Sequence, residues 1–161
     1  MIGRVTAVLL LAAAWSRSSE AQASVLHFSF GVHGAYPEYA AVSLGLQSMH
    51  ETRDGEQRGL FVVLEPGVNG GRLSIGQQSG YPNALYSTHL GVLQTWGSPP
   101  DNRPGVTYIG GEQRVRFQWF LVGLGFYSRV SGTQAAGLAA ANQRNSQSIL
   151  ITGVLGAHFA F

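Results

Sequence analysis

Cysteine and lysine are both missing from this 161-residue chain, and only 11% of its residues are charged. Without cysteine there is no disulfide to brace the fold, and none of the thiolate sets that hold zinc or serve as nucleophiles. Without lysine, arginine is the only permanently charged cation, ten residues against eight acids. The sequence pI near 9.3 follows from that small excess. No basic block is present, so nothing in the composition points to a nucleic-acid partner. Long apolar runs are scarce too. Beyond residue 23 no stretch approaches the roughly 20 residues a helix needs to cross a bilayer. Phosphate loops, CxxC, HExxH and GxSxG are absent, and the glycine-rich segments GVNGG and VGLGF do not sit between a strand and a helix. Motifs therefore assign no catalytic residue, no cofactor and no metal centre.

The first 23 residues read as a cleaved signal peptide. Arg4 supplies a positive start, Val5 to Trp15 an apolar core, and Ala21-Gln22-Ala23 a small-x-small cleavage pattern that leaves Ser24 as the mature start. Residues 24–161, about 138 in number, suit one domain. With no disulfides, that domain depends on packing or on a membrane.

From Ser24 onward the dominant hydrophobic period is two, the period of a strand. Ser24 to Gly34 places Leu26, Phe28, Phe30 and Val32 on one face and His27, Ser29, Gly31 and His33 on the other. Tyr39 to Met49 sets Ala40, Val42, Leu44 and Leu46 against Ser43, Gly45 and Gln47. Gly59 to Glu65 is less clean, because Phe61 and Val63 oppose Leu60, Val62 and Leu64. Further strands are expected at Arg72 to Gln78, Ala84 to Trp96, Val106 to Val115 and Gln118 to Val130, with loops at GAYPE, HETRDGEQR, PGVNGG, QQSGYPNA and GSPPDNRP. Residues 131–147 form a long polar connection whose alanine-rich part, Ala135 to Ala141, could make a turn or two of helix. The expected fold is all-β: one antiparallel up-and-down barrel of eight strands.

The last strand is the most telling. Gln147 to Phe161 (QSILITGVLGAHFAF) puts Ile149, Ile151, Gly153, Leu155, Ala157, Phe159 and Phe161 on one face. Leu150, Thr152, Val154, Gly156 and His158 lie on the other. This strand resembles the closing strand of small bacterial outer-membrane β-barrels, with apolar residues at every second position up to a terminal Phe. The resemblance implies residence in the outer membrane, with outer-membrane lipid around the wall. It also implies recognition of the strand ending in Phe161 by the membrane's assembly machinery, and a monomer with a structural, adhesive or surface-contact role. Even strand number would put both termini on the periplasmic side, with GAYPE, PGVNGG, GSPPDNRP and 131–147 outside the cell. HETRDGEQR is long for a periplasmic turn, and two of the strands are short for a crossing of about 9–11 residues.

Two other functions fit the same pattern. A soluble, lipocalin-like barrel enclosing a hydrophobic ligand would turn the apolar stripe inward, although the first strand lacks the Gly-x-Trp start of that family. Some small outer-membrane barrels modify lipids with His, Ser and an acid; here the only His-x-Ser is His27-Phe28-Ser29, in the first strand and not late in the chain. The alternating pattern also places His27, His33 and His158 on the inner face, with Glu112 and Arg114 or Arg116 as charged partners across the lumen, expected to form a hydrogen-bonded filling of a narrow barrel. His27 and His33 are about 20 Å apart at 3.3 Å per residue, so they could not share one metal ion.

Overall fold

A computed structural model describes residues 25–98, 104–132 and 148–161. The expected signal peptide 1–23, Ser24, the centre of GSPPDNRP and the alanine-rich segment 135–141 lie outside the described residues. The chain forms eight strands, β1 (Val25–Ala35), β2 (Tyr39–Glu51), β3 (Gln57–Pro66), β4 (Gly70–Tyr81), β5 (Ala84–Thr95), β6 (Thr107–Phe117), β7 (Phe120–Ser131) and β8 (Ile149–Ala160). Each strand pairs antiparallel with its sequence neighbours, and β1 pairs with β8 to close the barrel. Closure removes the open edges that would otherwise leave backbone groups unpaired.

Strands β3 and β4 are longer than the sequence pattern suggests. His50↔Arg58 and Glu51↔Gln57 continue the β2–β3 ladder into HETRDGEQR, so the turn itself spans only 52–56. Thr52 N–H donates to the Glu56 carbonyl at 2.7 Å, and Gly55 takes the left-handed conformation the turn needs (φ 76°). Gln57↔Gly80 and Pro66↔Gly71 likewise extend the β3–β4 ladder at both ends. Alternation fades there because polar residues and glycines occupy both faces, but the backbone still pairs. Tight turns at 82–83 and 118–119 complete the end of the barrel that carries Val25 and Phe161. The strand ends Thr95 and Thr107, and Ser131 and Ile149, lie at the opposite end.

The seam is closed by the last residues of the chain. Ser29↔Ala160 through Ala35↔Val154 pair β1 with β8, and Phe161 N–H donates to the Phe28 carbonyl at 2.9 Å.

Side chains alternate as expected on every strand, and the apolar set points outward. Phe28 is 68% exposed, Leu124 64% and Phe126 65%, whereas Ser29, Gly123 and Gly125 between them face a filled interior. Among the described residues 34 large apolar side chains are exposed and 13 apolar residues are buried, the reverse of the usual balance for a fold surrounded by water.

Candidate functional site

The interior has three levels. Away from the termini, Leu93, Val106, Tyr108, Tyr127 and Leu150 pack together with Tyr36 as an apolar cap. Below it lies a buried ionic cluster, and below that, toward the Val25 and Phe161 end, a small cavity.

The ionic cluster is assembled from across the barrel. Arg72 comes from β4, Glu65 from β3, and Glu112 and Arg114 from β6. Glu38 comes from the β1–β2 turn. That turn is held inward by the loop 67–69, whose Asn69 and Val68 N–H groups donate to the Glu38 and Ala40 carbonyls. The Arg114 guanidinium forks onto both oxygens of Glu65, at 2.6 and 2.7 Å, and its Nε donates to Glu112. Arg72 donates to Glu38 at 2.7 and 3.2 Å and to Glu112. Its guanidinium also lies 5.4 Å from the centre of the Tyr127 ring, joining the cluster to the apolar cap. Thr152 Oγ1 donates to Glu112 at 3.3 Å, and His33 Nε2 lies 3.4 Å from Glu65. All five charged side chains are nearly inaccessible to solvent. Shared ligation of this kind offsets the desolvation of each ion, since bidentate, charge-assisted bonds are among the strongest available to side chains.

Space for the cluster comes from glycine. Glu112 and Arg114 face Gly125 and Gly123 of β7 across the ladder. A Cβ at Gly125 would come within 2.6 Å of Thr152 Oγ1, and one at Gly123 within 2.7 Å of Arg114 Cγ. The glycines of VGLGF thus clear room for arginine and glutamate.

The cavity beneath has a volume of about 40 Å³. Phe61, Leu85 and Leu121 form its apolar walls; Ser29, Gln47, Gln78, Ser87, His89, Arg114, Arg116 and His158 supply the polar ones. Gln78 donates to Gln47 at 2.6 Å, Ser87 Oγ is 3.0 Å from His89 Nε2, and Arg116 Nη1 is 3.3 Å from His158 Nδ1. The His89 ring tilts against Phe61 with centroids 4.5 Å apart.

The residues singled out in the sequence divide among these levels. Glu112 and Arg114, neighbours on the inner row of β6, bond each other and reach across the lumen to Arg72 and Glu65 and not to the histidines. His33 joins the cluster, whereas His158 sits in the cavity beside Arg116. His27 is at the seam, with Nδ1 3.1 Å from the Phe161 carbonyl oxygen. It lies on the same face of β1 as Ser29 but at the end of the strand, and no hydrogen bond joins the two among the described residues, so a hydrolytic pair between them has no supporting contact. Among the described residues no three or more His, Asp or Glu side chains are grouped to hold a metal ion. Sequence reasoning missed Glu38, Glu65 and Arg72 as cluster members and Ser87 with His89 as a bonded pair. For the strand residues the available signal was a lone polar side chain on the inner alternation. Glu38, lying in a turn, had none.

Comparison with protein-family models, with curated proteins and with solved structures finds no match to this chain.

Proposed function

We propose that the protein is an integral β-barrel of a bacterial outer membrane, monomeric, with a structural, adhesive or surface-contact role exercised through its longer connections. The observation that carries this reading is the opposed polarity of the wall: hydrocarbon outside and ion pairs inside. Burying a Leu, Phe or Ile side chain is worth about 1.5–3 kcal/mol. The outward rows of β1, β7 and β8 forgo that gain in water and recover it in lipid. A closed barrel also satisfies every strand-to-strand hydrogen bond, which a bilayer demands. Exposed aromatics at strand ends add support: Tyr81, Phe117, Trp119, Phe159 and Phe161 ring one end, while Tyr39 and Trp96 lie at the other. The short turns at the Phe161 end fit a periplasmic orientation, and the longer connections at 96–106 and 132–148 an external one.

A filled lumen argues against bulk transport, since an eight-stranded barrel is only wide enough to hold its own side chains. The assembly machinery would read the outward row Leu155, Ala157, Phe159 and Phe161 as β8 closes on β1. The test is fractionation of the expressed full chain. The expected result is recovery in the outer-membrane fraction, release only by detergent, and heat-dependent mobility on denaturing gels. A water-soluble monomer that binds an apolar fluorophore would instead establish the ligand-enclosing barrel.

A further inference from the structure

We propose that the cavity at the Phe161 end of the barrel is a binding site for a small inorganic anion of halide size, held by Arg116. Three observations meet there. First, the charged groups lining the cavity are two arginines, and no carboxylate lines it. Arg114 is already clamped by Glu65 and Glu112, so its charge is met from above. Arg116 has no carboxylate partner among the described residues; its guanidinium meets the His158 ring instead. Second, Arg116 is half-buried against apolar walls, with Leu85 and Leu121 almost wholly inaccessible. A cation in such surroundings has lost much of its hydration, and a counter-ion there is attracted more strongly than in water. Third, the space fits. One water needs roughly 10–15 Å³, so about 40 Å³ admits two or three waters or one unhydrated halide, but no sugar acid or phosphate ester. The Ser29 hydroxyl and the Arg116 N–H groups are the donors that would face the ion.

The site does not depend on membrane placement, because the cavity lies inside the wall. The test uses the folded full chain in detergent micelles, with sodium chloride exchanged for sodium gluconate at constant ionic strength. Chloride should raise the unfolding midpoint saturably, by about 2–4 °C, because gluconate is too large to enter. Arg116→Gln should abolish the difference, Arg116→Lys should keep part of it, and Arg58→Gln, at an exposed ion pair with Glu56, should keep it all. Crystals soaked in bromide should show an anomalous peak beside the Arg116 guanidinium. Equal midpoints in chloride and gluconate, an undiminished response in Arg116→Gln, or bromide absent from the cavity would each overturn the proposal.

Discussion

The two faces of β6 follow different rules although they share one backbone. Its outward row is Ile109, Gly111, Gln113, Val115 and Phe117; its inward row is Tyr108, Gly110, Glu112, Arg114 and Arg116. The charged members of the inward row, Glu112, Arg114 and Arg116, are bound to named partners on other strands, so those side chains are specified by geometry. The outward row has few partners beyond its neighbours in the sheet, and three of its five residues, Ile109, Val115 and Phe117, are exposed apolar side chains. Specific pairing lies inside the wall and exposed apolar surface outside it.

The sharpest way to break that contrast is to leave one ion inside unpaired. Arg72→Met strands Glu38 and leaves Arg114 as the one cation on Glu112, and should cost about 3–5 kcal/mol of stability in urea unfolding from detergent or vesicles. Removing one charge of each sign, as in Glu65→Leu with Arg114→Leu, should cost clearly less than the sum of the two single changes. Additivity would mean that the ions act independently. The outer face should respond to charge instead of geometry. Leu124→Arg should cost about 2–4 kcal/mol if it meets mid-bilayer lipid, and Val130→Arg, near a strand end, about 0–1 kcal/mol. Gly125→Ala, which presses a methyl group on Thr152 and Glu112, should cost about 1–3 kcal/mol. The outward Leu124→Ala next to it on the strand creates no such clash. Smallest of all is Gln113→Leu. This residue accepts a 3.0 Å bond from Thr88 on the outer face, and the replacement should stay within about 0.5 kcal/mol or stabilise slightly in lipid.

The strands were legible because alternation persists wherever one face is an outward apolar row and the other a crowded polar lumen. It failed where that difference ends. Gln57, Arg58, Gly70, Gly71 and Ser79 extend β3 and β4 with no polarity signal, so both strands were read short and the turn at 52–56 was read long. The inner apolar pair Phe61 and Val63 blurred β3 for a different reason: both line the cavity, where Phe61 packs against His89. Within the site, Glu112 and Arg114 were legible from position on the inner row. Their partners were not, because Glu65 and Arg72 come from two other strands and only the closed register brings them together. Glu38 was hidden further, since its placement depends on backbone bonds from the 67–69 loop to the 38–40 segment. Strand periodicity cannot carry that information.

The outward rows as the lipid-contacting surface are the central claim, and a depth scan of β7 tests it most directly. Nitroxide labels placed singly at Phe120, Val122, Leu124, Phe126 and Val130 of protein reconstituted in vesicles report collisions with dissolved oxygen and with a water-soluble nickel chelate. Oxygen access should peak near Leu124 and chelate access should be lowest there, both changing smoothly toward the two strand ends. High chelate access along the whole row, in a protein that stays out of the vesicles, would contradict the account.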